Sequence, residues 1–171
     1  AEQEIARLSR ELDVLSFRNG HPFTFAIDLD DMLTGTLATP DALAAWFAER
    51  PGDRWASYVA GVVYRCLTLA GFTRPPHGVR VLVLSDVPEG KGVSSSAALE
   101  VSVMAAIAAC YDLRMTGAHL AAACQWAENH IAGAACGIMD QMTSALGQRD
   151  RLLRLRCQPA MVEGHVAVPA G

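Results

Sequence analysis

With 171 residues, a net charge of −4 and 51% apolar side chains, the chain is one domain's worth of globular protein with material for a substantial core. Aromatics make up only 6%, so Ala, Val and Leu must fill that core. The acidic balance, without a basic cluster, argues against nucleic acid as a partner, and no apolar run reaches the roughly 18 residues that argue for a membrane span.

In chain order, Glu2 to Arg10 reads as a short charged helix with no signal-peptide hydrophobic segment. Val14 to Phe17 and Phe23 to Leu29 read as strands around Arg18-Asn19-Gly20, because Asn-Gly is a strong hairpin signal. Pro40 to Arg50 carries Leu43, Trp46 and Phe47 at helical spacing and ends at Pro51-Gly52. Arg54 to Ala70 is a longer helix with Tyr58, Val62, Arg65, Cys66 and Leu69 near one face and Gly71 as its stop. Gly61 inside it predicts close packing against a neighbour. Val79 to Leu84 is a strand. Ala97 to Tyr111 is apolar on nearly every side, which predicts a central, buried helix, and Glu100 is its only charge. Gly117 to Ile131 is the next helix, with Leu120, Cys124, Ala127 and Ile131 on one face. Gly137 opens a short helix, Ile138 to Leu146, and Arg151 to Cys157 and Val162 to Val168 are strands that pair through Gln158-Pro159-Ala160. This order predicts an α+β fold, helices packed on a mostly antiparallel sheet.

The five cysteines, Cys66, Cys110, Cys124, Cys136 and Cys157, are odd in number and form no Cys-x-x-Cys pair. Reduced, mostly buried thiols in a cytoplasmic protein fit that pattern, and no spacing with His119 or His130 suits zinc. Trp46, Trp55 and Trp126 read as packing residues.

The stretch that organises the chain runs from Val83 to Ala98: strand, the turn residues Pro88-Glu89-Gly90-Lys91-Gly92-Val93, the triplet Ser94-Ser95-Ser96, then a helix start. Glycines admit backbone angles closed to other residues, and a helix N-terminus offers unpaired N–H groups and a partial positive charge. Together they make a phosphate site, to which Lys91 can add a full charge. The alternative is a surface turn with an ordinary serine cap, for which one serine suffices. Asp140 lies among apolar and neutral neighbours in Cys136-Gly137-Ile138-Met139-Asp140-Gln141-Met142. It either caps a helix start or stands near a reacting group. On one straight helix Glu128 would stand about 18 Å from it, but Gly133 and Gly137 allow the chain to fold back. Taken alone, Glu128 reads more readily as a solvated helix-face residue.

Pro88 to Ala98 resembles the nucleotide loop of the GHMP small-molecule kinases, and its Glu-Gly-Lys-Gly-Val form is nearer the L-arabinokinases than ordinary galactokinases. Ala135 to Gln141 resembles the galactokinase-type segment that carries the catalytic aspartate. The likeness is strongest from about Val83 to Pro159 and continues through Trp55 to Gly61. It implies a ribosomal-protein-S5-domain-2-like GHMP kinase N-terminal domain over residues 1–171. ATP would lie on Pro88, Glu89, Gly90, Lys91, Gly92, Val93, Ser94, Ser95 and Ser96. Mg²⁺ would be held by Ser96 and Glu128, and Asp140 would act as base, with Gly137 beside the substrate. The implied reaction is phosphorylation of the anomeric hydroxyl of a small sugar, L-arabinose or D-galactose. The family's Pro-Gly-Arg sugar segment and its C-terminal glycine-rich loop have no match here, so the resemblance implies a fragment that is a poor catalyst alone. A mevalonate- or homoserine-type kinase, a non-catalytic ATP and sugar sensor, and a bare structural domain are the competing readings.

Overall fold

The first hairpin forms where Asn-Gly places it. Strand β1 (Glu11–Arg18) runs antiparallel to β2 (His21–Asp28), from Glu11 opposite Asp28 to Arg18 opposite His21. The computed structural model describes residues 10–18 and 20–168. Most of the helix expected over Glu2 to Arg10, and Asn19 of the turn, lie outside them. Strand β3 (Val79–Val83) pairs with the other side of β1 in parallel, Leu12 opposite Val79, giving the order β2-β1-β3. Alternation along these strands sends Leu12, Val14, Phe25, Ile27 and Val79 into the core. It leaves Asp13 and Arg80 paired across the opposite face at 3.4 Å.

Leu29 does not continue the strand. Asp28 accepts the N–H groups of Asp30 and Asp31 at 2.8 and 3.1 Å and so starts a short helix, α1 (Leu29–Thr34). Helix α2 (Pro40–Ala48) begins with Thr39 accepting from Ala42 N–H and with Pro40 in its first turn. The helix expected from Arg54 divides: residues Pro51–Ala56 wind as a 3₁₀ turn, and α3 follows as Ser57–Leu69.

Gly61 packs as expected. A Cβ there would stand 3.2 Å from Ile131 and 3.6 Å from Ala127. Gly61→Val should therefore lower stability by about 1–3 kcal/mol through overpacking, read as a drop in the urea midpoint at unchanged slope.

Helix α4 (Ser95–Cys110) corrects the expectation of burial all round. Ala97, Glu100, Val103, Met104, Ile107 and Ala108 face inward, while Ser102, Ala105, Ala106, Ala109 and Cys110 are exposed. Alanine counts as apolar in a sequence pattern yet tolerates water well, so it does not mark a face. Helix α5 (Gly117–Ala127) passes into one wide π-helical turn (Glu128–Ala132), and α6 (Met139–Leu146) packs beside α4 and α5. Strands β4 (Arg151–Cys157) and β5 (Ala160–Ala167) form a separate antiparallel hairpin, with Leu155 and Val162 against Ile138 and Met142.

All five cysteines are free thiols. Only Cys66 and Cys124 are buried, while Cys110 and Cys157 are exposed, so "mostly buried" was too strong. Trp46 and Trp126 pack as expected, each with an arginine over its ring, Arg50 at 4.0 Å and Arg65 at 4.2 Å. Among the described residues no helix is long and apolar enough to cross a membrane.

Candidate active site

Between β3 and α4 the chain is exposed, and every second residue of its tip takes a left-handed backbone: Gly90 at φ 67°, Gly92 at 69° and Ser94 at 58°. A Cβ on either glycine would meet nothing within 4 Å. These glycines therefore serve the angle, and the space around them is open. Ser94 adopts the same region with a side chain, at a cost of about 1–2 kcal/mol. It stands at the N-cap of α4, yet its side chain makes no capping hydrogen bond. An ordinary serine cap does not explain the triplet. The N–H groups of Ser95, Ser96 and Ala97 head the helix with no acceptor among the described residues, where the helix dipole favours negative charge.

A cavity of about 400 Å³ opens against this helix start. Glu89, Gly90, Ser95 and Ser96 line one part of it and Phe23, Trp55 and Tyr58 another, with Val83, Val87 and Leu99 among the remaining walls. Phe23 and Trp55 meet edge to face, centroids 6.4 Å apart at 75°. Trp55 is thus a cavity wall and not only a packing residue. The sequence signal was its spacing of three from Tyr58, which places both rings toward one side of a helical turn. Pro88, Lys91, Gly92 and Val93 are exposed and do not line the cavity. Grooves of about 460 and 530 Å³, on the outer sheet face and between α3 and α5, contain none of the loop residues.

The second assembly is a buried acid cluster. The π-helical turn ends at Gly133, whose φ of 71° reverses the chain. Asn129 Oδ1 then accepts the Cys136 N–H at 2.8 Å, while Gln125 and Asn129 donate to the Cys136 carbonyl at 3.1 and 3.3 Å. This pinned loop carries Cys136 and α6 back onto Glu128. Glu128 is 5% exposed, so it is not a solvated helix-face residue. Its Oε2 accepts from Gln141 Nε2 at 2.5 Å and from Cys136 Sγ at 3.1 Å. Gln141 Nε2 also donates to Glu100 Oε2 at 3.2 Å. Glu100 and Gln141 are fully buried, and Oε1 of each has no hydrogen-bond partner.

Burial, then the neighbouring Glu128 charge, pushes the Glu100 carboxyl up to about 8. Burial and the Glu128 carboxylate likewise hold the Cys136 thiol protonated, pushed up to about 12. Tyr58 is raised by burial first and then by Glu128 and Glu100, which ties the cavity wall electrostatically to the cluster. Ser96 sits one helical turn before Glu100 on α4.

Asp140 occupies the first turn of α6 and is half-buried. It does not cap that helix by a side-chain hydrogen bond, and among the described residues it makes no hydrogen bond or ion pair. Gly137 is exposed in open space just before it. Neither Asp140 nor Gly137 lines the cavity, whereas Gln141, the next residue, reaches Glu128 directly.

Among the described residues no three His, Cys, Asp or Glu side chains converge as a metal-ligand set. Mg²⁺ does not need one, since it takes one or two protein oxygens and completes its octahedron with phosphate and water. A buried carboxylate with one oxygen held and the other outside those contacts fits such an ion.

Residues 57–148 match the family described as GHMP kinases N terminal domain. Over 147 residues, 85% of this chain, the sequence is 47% identical to L-arabinokinase of Arabidopsis thaliana, of which it spans 14%. The galactokinase of Lactococcus lactis, solved with galactose, superposes with a TM-score of 0.69 at 25% identity, over 95% of this chain and 37% of that one. The mevalonate kinase of Methanococcus jannaschii shares the fold alone, with a TM-score of 0.62 at 18% identity over 80% of this chain and 38% of that one. The chain thus spans well under half of each of these relatives. The glycine loop, the helix behind it and the matched region together identify it: the chain belongs to the GHMP kinase family, on the side of its L-arabinokinase- and galactokinase-like members.

Proposed function

We propose that this chain is the nucleotide-binding part of a longer ATP-dependent sugar 1-kinase, which phosphorylates the anomeric hydroxyl of a monosaccharide such as L-arabinose or D-galactose. The observation that carries the reading is the cavity in which an aromatic wall, Phe23 with Trp55 and Tyr58, meets the uncapped N-terminus of α4 at Ser95 and Ser96. A nucleotide has the same two halves, a flat base and a polyanion. The base stacks on the aromatic side, and the phosphates take the free N–H groups and serine hydroxyls.

Ser96 and Glu128 would hold Mg²⁺, which when bound neutralises phosphate charge. The chain's own residues do the rest. The left-handed loop holds its N–H groups toward the phosphates, and the aromatic wall excludes water. Asp140, with no competing partner, takes the proton of the attacking sugar hydroxyl. Phosphoryl transfer depends chiefly on such positioning and electrostatics. Because the chain spans only part of its relatives, it binds nucleotide but turns sugar over poorly when isolated.

Isothermal titration of MgATP into this chain tests the reading. Trp55→Ala should lose about 1–3 kcal/mol of binding, the worth of one stacked base, and Ser96→Ala should weaken MgATP more than ATP in EDTA. Unchanged affinity in both variants would empty the cavity of this role.

A further inference from the structure

We propose that Gln141 is a positioning residue for the divalent cation, its amide shared between Glu128 and Glu100 so that the Glu128 carboxylate is held in one orientation. The inference rests on the kinase reading above and gives a role to the last residue of the aspartate segment, to which that reading assigns none.

A glutamine amide nitrogen carries two hydrogens. Here that nitrogen donates to carboxyl groups from two different elements, Glu128 at 2.5 Å and Glu100 at 3.2 Å, and also stands within reach of Cys136 Sγ at 3.7 Å. The side chain that makes this bracket is completely buried, and so is Glu100. The arrangement leaves two enclosed oxygens, Gln141 Oε1 and Glu100 Oε1, without partners. Each such orphan costs about 1–3 kcal/mol, and apolar side chains at both positions would avoid the expense. A cluster kept on these terms is built for geometry.

What it fixes is Glu128. Oε2 of that residue is gripped twice, by the Gln141 amide and by the Cys136 thiol, so the carboxylate cannot spin about its last bond. Oε1 stays outside both contacts. Ligating carboxylates depend on such outer hydrogen bonds, and their loss weakens metal affinity. The bracket has a second consequence through the chain. Gln141 follows Asp140 in the first turn of α6, so the group that anchors Glu128 also anchors the helix start that carries Asp140.

The test is made on the full-length protein with Mn²⁺ as probe, its free signal followed by electron paramagnetic resonance in the presence of ATP, which needs no turnover. Gln141→Leu should raise the Mn²⁺ Kd about 10–100-fold, with ATP affinity in EDTA unchanged. That substitution strands Glu100 in the core, so Gln141→Leu/Glu100→Leu, which makes the site apolar, is measured beside it and should loosen Mn²⁺ equally. Glu128→Gln separates the two levels of the argument. If Glu128→Gln leaves the Mn²⁺ Kd unchanged, the metal reading itself fails. If Glu128→Gln weakens Mn²⁺ while both Gln141 variants bind it normally, only the positioning role fails. Equal loss of Mn²⁺ and metal-free ATP binding, or failure of both Gln141 variants to fold, makes the cluster structural and overturns the assignment.

Discussion

Asp140→Asn in the full-length protein should lower sugar phosphorylation by about 10²–10⁴-fold, the range of a removed general base, while MgATP affinity stays as it was. The structure makes this a clean comparison. Asp140 caps nothing and has no hydrogen-bond or salt-bridge partner among the described residues, and the amide matches the carboxylate in size. The foreseeable stability loss is its favourable place in the first turn of α6, worth about 0.3–1 kcal/mol. A coupled assay for ADP release with L-arabinose and D-galactose, beside a melting curve, reads both quantities. Full turnover by the Asn variant would return Asp140 to the role of a first-turn charge.

Glu100→Gln should flatten the dependence of stability on pH, and its effect is large because the group is fully enclosed. The carboxyl is pushed from 4.5 to about 8, by burial first and then by Glu128. Between those values the folded chain keeps a proton that the unfolded chain has released. Stability from this group is therefore complete below about pH 4.5 and declines as pH rises toward about 8, where the slope ends. At 1.36 kcal/mol per unit the full span is on the order of 5 kcal/mol. Urea unfolding across this window, wild type against Glu100→Gln, should show the decline in the first and its loss in the second. Parallel curves would mean that Glu100 is charged in the fold.

The glycine turn ahead of a helix start was legible in residue type and order along the chain, whereas Glu128, which its own helix marks as solvated, is buried. Glycines before a serine run can be read without knowing what lies opposite. The same holds for the hairpin at Asn-Gly and for the close approach at Gly61. Glu100 was visible as the one charge on an apolar helix, but its meaning depends on Gln141, forty-one positions away, and no local pattern pairs them. Trp55 packs against the core as read, but its further place in the cavity wall was hidden, because burial and cavity lining look alike in sequence. Its edge contact with Phe23 depends on how the first hairpin lies over the 3₁₀ turn. The start of α1 was missed for a nearer reason: Leu29 extends an apolar run, and the cap from Asp28 outweighs that run.

The three serines at the head of α4 look interchangeable, yet they answer to different rules. Ser94 is held at φ 58° and ψ 44° and makes no capping bond, so its position screens for backbone shape. Glycine or asparagine could stand there, whereas threonine, which keeps the hydroxyl, would be barred by its branched Cβ. Ser95 and Ser96 have helical backbones and line the cavity. Their positions tolerate many shapes but reward a particular oxygen. Sequence drift through this triplet would thus leave two unlike signatures side by side, and a substitution scan with Gly, Asn and Thr at each position would separate them.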